Sequence, residues 1–402
     1  MRFSGFVLVI AIFLLHTQDG VGASDVSWRI TDSSIKTAYL EGGESLTYNN
    51  EGITLEEGQN YYFSVALSGK AGYFEADLEP LVSIDQNVHG TIHKGYLRLA
   101  TPSLNFDIGK ESLWWGQGAH GGLFLTNNAE PLPMIRLFNE IPAILPGIFR
   151  YLGPFQYDIF FSQLEEDRVI PKPYFQGTRL IFKPVSILEV GLTRTIIMGG
   201  AGRPGINPSK FITIWFGENK ETAESELSNS IAGLDFRLTF PNAQFYGEVG
   251  GEDEAGGYPS KDAFLLGMYL PQNDVRIEYA DLANPVWYIH STYQSGYTYK
   301  GRILGHHVGG GGRDLFFEKG VMRTEWVNGK ISLDYEERGM TTKPVTERHY
   351  QAGTDWQFAY GKMIIPWTVR LGFAYDWVRN AGHVLERNQE NALFQFSLIG
   401  RV

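Results

Sequence analysis

The sequence predicts an all-β chain closed into a transmembrane barrel of antiparallel strands, its lumen occluded by loops that fold inward. Apolar and polar residues alternate with a period of two along much of the 402-residue chain, which sets each strand between an apolar and a polar medium. Aromatic residues reach 14% while charged residues stop at 20%, and 47 glycines punctuate the strands, a composition that suits an aromatic-rich β protein better than a helical one. The chain ends on an alternating stretch, Leu393 to Val402, suited to closing a sheet against its first strand.

At the N-terminus, Met1 and Arg2 precede an unbroken apolar run from Phe6 to Leu15, and Val21, Gly22 and Ala23 supply the small residues a signal peptidase needs. The run is too short to span a bilayer, and no later stretch approaches the ~18 apolar residues of a transmembrane helix. Residues 1–23 are therefore expected to be a cleaved leader. Residues 24–58 are polar and weakly patterned, and are expected to form an N-terminal periplasmic segment with one short helix around Ser33 to Leu40. The barrel is expected over 59–402.

From Gln59 the alternation is plain. Tyr61, Phe63, Val65 and Leu67 oppose Tyr62, Ser64, Ala66 and Ser68. Further on, Leu234, Phe236 and Leu238 oppose Asp235 and Arg237, while Ile277 and Tyr279 oppose Arg276 and Glu278. Ile331, Leu333 and Tyr335 oppose Asp334 and Glu336; Leu371, Phe373, Tyr375 and Trp377 oppose Arg370, Gly372 and Asp376. Counting such runs gives roughly 16 to 20 strands. A soluble sandwich shares the period, its apolar face turned inward. Large aromatics on the apolar faces, Tyr and Trp near strand ends, and both charge signs on the polar faces favour lipid outside and a crowded lumen inside.

The stretch from Gly109 to Pro133, GKESLWWGQGAHGGLFLTNNAEPLP, interrupts this pattern with a density of Gly and Pro that no central strand tolerates. A loop carrying Trp114, Trp115, Asn127 and Asn128 is expected to fold back into the structure. Other long Gly-rich connections are expected at Gly199 to Pro208, Gly250 to Ser260 and His306 to Asp314, with a short helix in Glu218 to Ser228. A formal charge of −11 leaves no electrostatic footprint for nucleic acid, and the absence of Cys excludes disulfides and thiolate metal sites.

The order of motifs after Gly109 resembles the Wzi family of capsule assembly proteins. The resemblance runs through the Trp-Gly element with its Asn pair, then LEEDRVIPKPYFQGTRLIFKP, LEVGLTRT, GEVGGEDE, VRIEYAD and IHSTYQSGYTYKGRILGHHVGGGGRD, about two hundred residues in collinear order. It implies an outer-membrane barrel of about 18 strands that binds exported polysaccharide and attaches capsule to the cell surface. The N-terminal segment is shorter than the helical periplasmic bundle of similar family members, and the chain ends on Val402 rather than on Phe.

Polysaccharide is bound by stacking sugar rings on aromatics while hydroxyls and carboxylates meet amides and cations. Trp114, Trp115, Asn127, Asn128, Arg136, Arg179, Arg194, Tyr293, Tyr297 and Tyr299 are the candidates. The same Trp pair would also fill a lumen, and any single arginine is more economically read as pairing with a lumenal carboxylate such as Glu189 or Glu278. The three tyrosines suit either a girdle or a sugar platform. The acidic run Glu248, Glu252, Asp253 and Glu254 lacks the spacing of a calcium loop, and His306-His307 lacks that of a zinc pair, so neither metal nor cofactor is expected.

No nucleophile elbow, phosphate loop or zinc-protease motif appears, so the expected protein is not an enzyme. Its expected partners are capsular or extracellular polysaccharide, outer-membrane lipid and polysaccharide export machinery. A porin or export channel is the first rival reading; a secreted sandwich that hydrolyses glycans is the second.

Overall fold

A computed structural model describes residues 26–85, 87–215, 227–255, 258–360 and 366–401. The leader expected over 1–23 lies outside them, as does most of the helix expected at Glu218 to Ser228.

Eighteen long strands form the wall. In order they are β1 (Val26–Glu41), β2 (Gly58–Ala71), β3 (Phe74–Ile84), β4 (Val88–Ala100), β5 (Asn105–Glu111) and β6 (Leu132–Phe138). Then come β7 (Pro154–Gln163), β8 (Tyr174–Val185), β9 (Leu188–Met198), β10 (Ser228–Thr239), β11 (Gln244–Ala255) and β12 (Tyr258–Leu270). The last six are β13 (Val275–Leu282), β14 (Gly312–Arg323), β15 (Val327–Arg338), β16 (Glu347–Tyr360), β17 (Trp367–Arg379) and β18 (Asn388–Arg401). Each pairs antiparallel with its sequence neighbours, and β1 also pairs with β18 from Asp32↔Arg401 to Glu41↔Ala392. The sheet therefore has no free edge, as a bilayer requires.

The first strand corrects the expected domain boundary. Residues 26–41 are wall, not a periplasmic segment, and the helix expected at Ser33 to Leu40 is strand. The reason is a β-bulge between Ile30 and Asp32, which moves the outward positions from the even-numbered Trp28 to the odd-numbered Ile35 and Tyr39. That change of parity hides a strand from any search for strict alternation. The loop expected at Gly250 to Ser260 is likewise mostly strand, since β11 runs to Ala255 and β12 begins at Tyr258.

Outward positions carry exposed apolar side chains around the barrel: Phe63, Ile108, Leu192, Leu234, Leu266, Ile277, Leu333 and Phe396 are among them. A band of that extent is stable only against lipid. Tyr335, Tyr350 and Trp377 lie side by side on β15, β16 and β17 with ring centroids 5.2 and 5.3 Å apart, part of an aromatic belt towards one rim. Near the other rim Phe155 packs on Phe182 at 5.2 Å. No helix among the described residues is long and apolar enough to cross a membrane; the chain crosses with strands.

Tight connections such as 72–73, 101–104 and 271–274 lie at the rim that holds both ends of the sheet, and long loops 42–57, 112–131 and 283–311, with the described residues 199–215, lie at the other. Short turns mark the periplasmic rim of such barrels and long loops the outer one. Among the described residues, the helix α1 (Pro208–Trp215) follows β9 and buries Ile214 against Ile196 and Met198.

Candidate functional site

The main apolar core of this barrel belongs to its loops. Trp115, Leu123, Phe124, Leu125, Trp287, Tyr288, Tyr297 and Leu304 bury one another within the wall, together with Phe160, Phe175 and Leu265 from inward strand positions. Loops 112–131 and 283–311 are joined by bonds from Thr126 N to Leu304 O (2.8 Å), Tyr288 Oη to Leu123 O (2.7 Å) and Tyr297 Oη to Phe124 O (2.8 Å). Loop 42–57 joins them through Glu51 N to Asn127 O at 2.6 Å.

Carboxylates on the inner wall grip the loop backbone. Glu248 accepts the N–H groups of Gln117, Gly118 and Leu123 at 2.7, 2.9 and 2.8 Å, and Glu278 accepts those of Ala119 and His120 at 2.8 and 2.9 Å. Such charge-assisted bonds satisfy loop amides that have no ladder partner. The glycine density follows from this grip. A Cβ on Gly116, where φ is +142°, would lie 2.4 Å from Glu248 Oε1, and one on Gly121 would lie 2.3 Å from His306 Nε2.

Most of the sequence-predicted residues serve this packing. Trp115 is buried, donating from Nε1 to Asp158 at 3.1 Å, while Trp114 donates to Gly118 O at 3.0 Å. Asn128 is buried between Ile303 O and Asn49 N. Arg136 forks onto Asp158 at 2.8 Å and reaches Glu111 at 2.9 Å; Arg179 forks onto Asp235 at 2.7 and 2.9 Å. These arginines are ion-paired inside the barrel as anticipated, though with Asp158, Glu111 and Asp235 rather than Glu189 or Glu278. Arg194 bonds Trp215 O and Ser230. Tyr293, Tyr297 and Tyr299 are buried among the loops, so they form neither a lipid girdle nor an open platform.

Asn127 differs. Its Oδ1 has no hydrogen-bond partner, nor have the Oδ1 atoms of Asn49 and Asn50, and all three residues line one cavity of about 420 Å³. Lys36, Arg370 and Gln395 contribute to the same lining, and Tyr48 and Tyr62 add aromatic surface. Amide oxygens accept from hydroxyls, and two cations suit carboxylates. The sequence reading missed Asn49 and Asn50 because it assigned loop 42–57 to the periplasm. Beside this cavity Glu51 pairs with His93 and Lys94 at 3.1 and 2.8 Å. Burial raises the Glu51 carboxyl, but hydrogen bonds from His93 and Lys94 outweigh it and hold the group at about 2.

A second cluster brings four potential metal ligands together. His120, His307, Asp314 and Asp334 are buried, with one potential ligand atom of each within 4.8 Å of all the others.

Comparisons with known proteins place this architecture. The fold matches the outer-membrane protein Wzi of Escherichia coli, reported as a carbohydrate-binding β-barrel involved in group 1 capsule assembly, with a TM-score of 0.72 and 20% identity over 91% of this chain and 84% of that one. It also matches OccK5 of Pseudomonas aeruginosa at a TM-score of 0.54 and 8% identity, over 94% of this chain and 100% of that one. At those identities the likeness is one of fold. In sequence, an uncharacterized 55.8 kDa protein of the cps region of Klebsiella pneumoniae is 33% identical over 172 residues, 40% of this chain and 33% of that protein, so the match spans about a third of the curated relative. The family model of capsule assembly protein Wzi matches residues 30–393, and this outer-membrane barrel belongs to that family.

Proposed function

We propose that this barrel binds capsular or other exported polysaccharide and holds it at the cell surface, without catalysing a reaction. Membership of the capsule assembly family supports the reading. The observation that carries it at the level of residues is the cavity lined by Asn49, Asn50 and Asn127 together with Lys36 and Arg370. Sugar hydroxyls fit amide side chains and uronate carboxylates fit the cations. Outer-membrane lipid surrounds the exposed apolar band, and export machinery delivers the polymer.

Three interlocked loops occlude the lumen in this reading, which weighs against the rival role of an open porin or export channel. Fold likeness to OccK5 carries no conduction with it, because grips of the kind made by Glu248 and Glu278 fill the space a channel would leave.

The test is a deletion strain complemented with the intact gene. Loss of the protein should move polysaccharide from the cell-associated to the released fraction at constant total, and complementation should restore it. Unchanged retention would sink the proposal. Single-channel recording of the purified barrel in planar bilayers addresses the rival: steady conductance from intact protein would favour a pore.

A further inference from the structure

We propose that His120, His307, Asp314 and Asp334 bind one zinc ion, which staples the inward loops to the barrel wall. His120 comes from loop 112–131, His307 from loop 283–311, Asp314 from β14 and Asp334 from β15. A single ion held by all four would link two loops to two adjacent strands, a task that no hydrogen bond in the barrel performs alone.

Three of the separations approach those of a coordination shell, and all four potential ligand atoms lie within 4.8 Å of one another. His120 Nε2 lies 3.0 Å from Asp334 Oδ2 and 3.5 Å from Asp314 Oδ2, and His307 Nε2 lies 3.3 Å from the same Asp314 oxygen. Zinc bonded to nitrogen and carboxylate oxygen at ~2.0–2.1 Å in a tetrahedron sets its ligand atoms roughly 3.3 Å apart. Hydrogen bonds between charged groups are shorter, at about 2.7–2.9 Å. Asp314 Oδ2 has no hydrogen-bond partner although the Nε2 atoms of His307, His120 and His306 lie 3.3, 3.5 and 3.8 Å away, and Asp334 Oδ1 and His307 Nδ1 are also buried without one. Buried polar atoms left in this way are rare unless something else satisfies them.

Charge points the same way. Asp314, Asp334 and Glu336 are buried together, and Arg338, held 2.6 Å from Glu336, is the guanidinium beside them. With neutral imidazoles the cluster carries two negative charges beyond Arg338, and one divalent cation neutralises them in place of two protonated histidines. The ring planes are fixed as ligands require: His120 stacks on Phe316 at 3.8 Å and His307 on Tyr48 at 4.0 Å. Glu336 Oε1 faces the same His307 Nε2 at 3.1 Å, so it borders the site, while His307 Nδ1 has no partner. A donor set of two imidazoles with two carboxylates favours zinc over the hard oxygen-seeking cations.

The experiment uses the full barrel, purified in detergent without chelator and checked for folding by its gel shift on heating. Elemental analysis should find about one zinc per chain, either as purified or after zinc loading and dialysis. Cobalt loaded in its place should give the intense visible bands of a four-coordinate site. Asp334→Asn and His307→Gln should each lose most of the metal, while His349→Gln, a buried histidine paired to Asp376 and Glu347 elsewhere in the wall, should keep it. Folded wild-type protein that retains only trace zinc after loading and gives no cobalt spectrum would overturn the proposal, leaving an ion-paired cluster with protonated histidines. Full zinc content in folded Asp334→Asn and His307→Gln would equally overturn it. Should those variants fail to fold, X-ray absorption on the cobalt-loaded wild type decides, since the site requires two imidazoles in the ligand shell.

Discussion

Glu248 Oε1, on the barrel wall, accepts the backbone N–H of Gln117 at 2.7 Å from a residue more than a hundred positions away in the chain. The same carboxylate takes two further loop amides. Glu248→Gln keeps the size but turns one acceptor oxygen into a donor facing N–H groups, and an unsatisfied buried group costs about 1–3 kcal/mol. The wall pairs through its own ladder, so the cost falls on the loop. The variant should fold, yet its loop 112–131 should be cleaved by protease at least ~10-fold faster, since local opening sets that rate. Cleavage at the wild-type rate would show that the grip is dispensable.

Arg179 and Asp235 form a buried bidentate pair at 2.7 and 2.9 Å. Removing one partner strands the other charge, at a cost of about 3–5 kcal/mol, whereas replacing both with apolar residues is often close to neutral. Arg179→Met should therefore lower the temperature of the gel-shift transition markedly, and Arg179→Met with Asp235→Leu should recover most of the loss. Polysaccharide affinity should follow neither change in folded protein. A selective loss of affinity in Arg179→Met at unchanged stability would return this arginine to the ligand.

Glu51 links loop 42–57 to the wall through His93 and Lys94, and its carboxyl is held at about 2 against an ordinary 4.5. A depressed value means the folded state favours the carboxylate. The contribution is complete above pH 4.5 and disappears as the pH falls towards 2. Allowing for partial exposure, it amounts to roughly 2 kcal/mol. Glu51→Gln should lower wild-type stability at neutral pH and make little difference near pH 2. Melting curves that stay apart at the acid end would assign the stabilisation to other groups.

How much of this was legible in the sequence depended on the distance over which each feature is encoded. Alternation is local, so Leu234 outward and Asp235 inward could be read directly, and the closing face of Phe394 and Phe396 likewise. The strand β1 was hidden by one inserted residue, Thr31, whose bulge inverts the parity on which the reading relied. Loop 109–133 announced itself by glycine and tryptophan, but what it meets did not: Glu248, Glu278 and Asp334 are brought to it only by closure of the barrel. For the same reason His120 and His307 looked unrelated, since no spacing rule spans the chain between a loop and the strands β14 and β15.

Asn127 and Lys36 separate ligand contact from internal packing. Asn127 Oδ1 has no partner, Lys36 forms no ion pair among the described residues, and both line the cavity beneath loop 42–57. Groups without internal bonds contribute little to folding, so Asn127→Ala and Lys36→Ala should leave the gel-shift temperature within about 1–2 °C of wild type, consistent with small effects at sites away from structural contacts. If sugar hydroxyls and carboxylates meet these groups, each lost bond should weaken binding by about 1–2 kcal/mol, or roughly 5- to 30-fold. Lys36→Ala should also flatten the salt dependence of binding to an acidic polymer, because it removes a cation. Titration of purified capsular polysaccharide against detergent-solubilised variants measures all three quantities. Unchanged affinity in the double variant would move the glycan from the cavity to the outer loops, leaving surface retention intact as a function but without its assigned site.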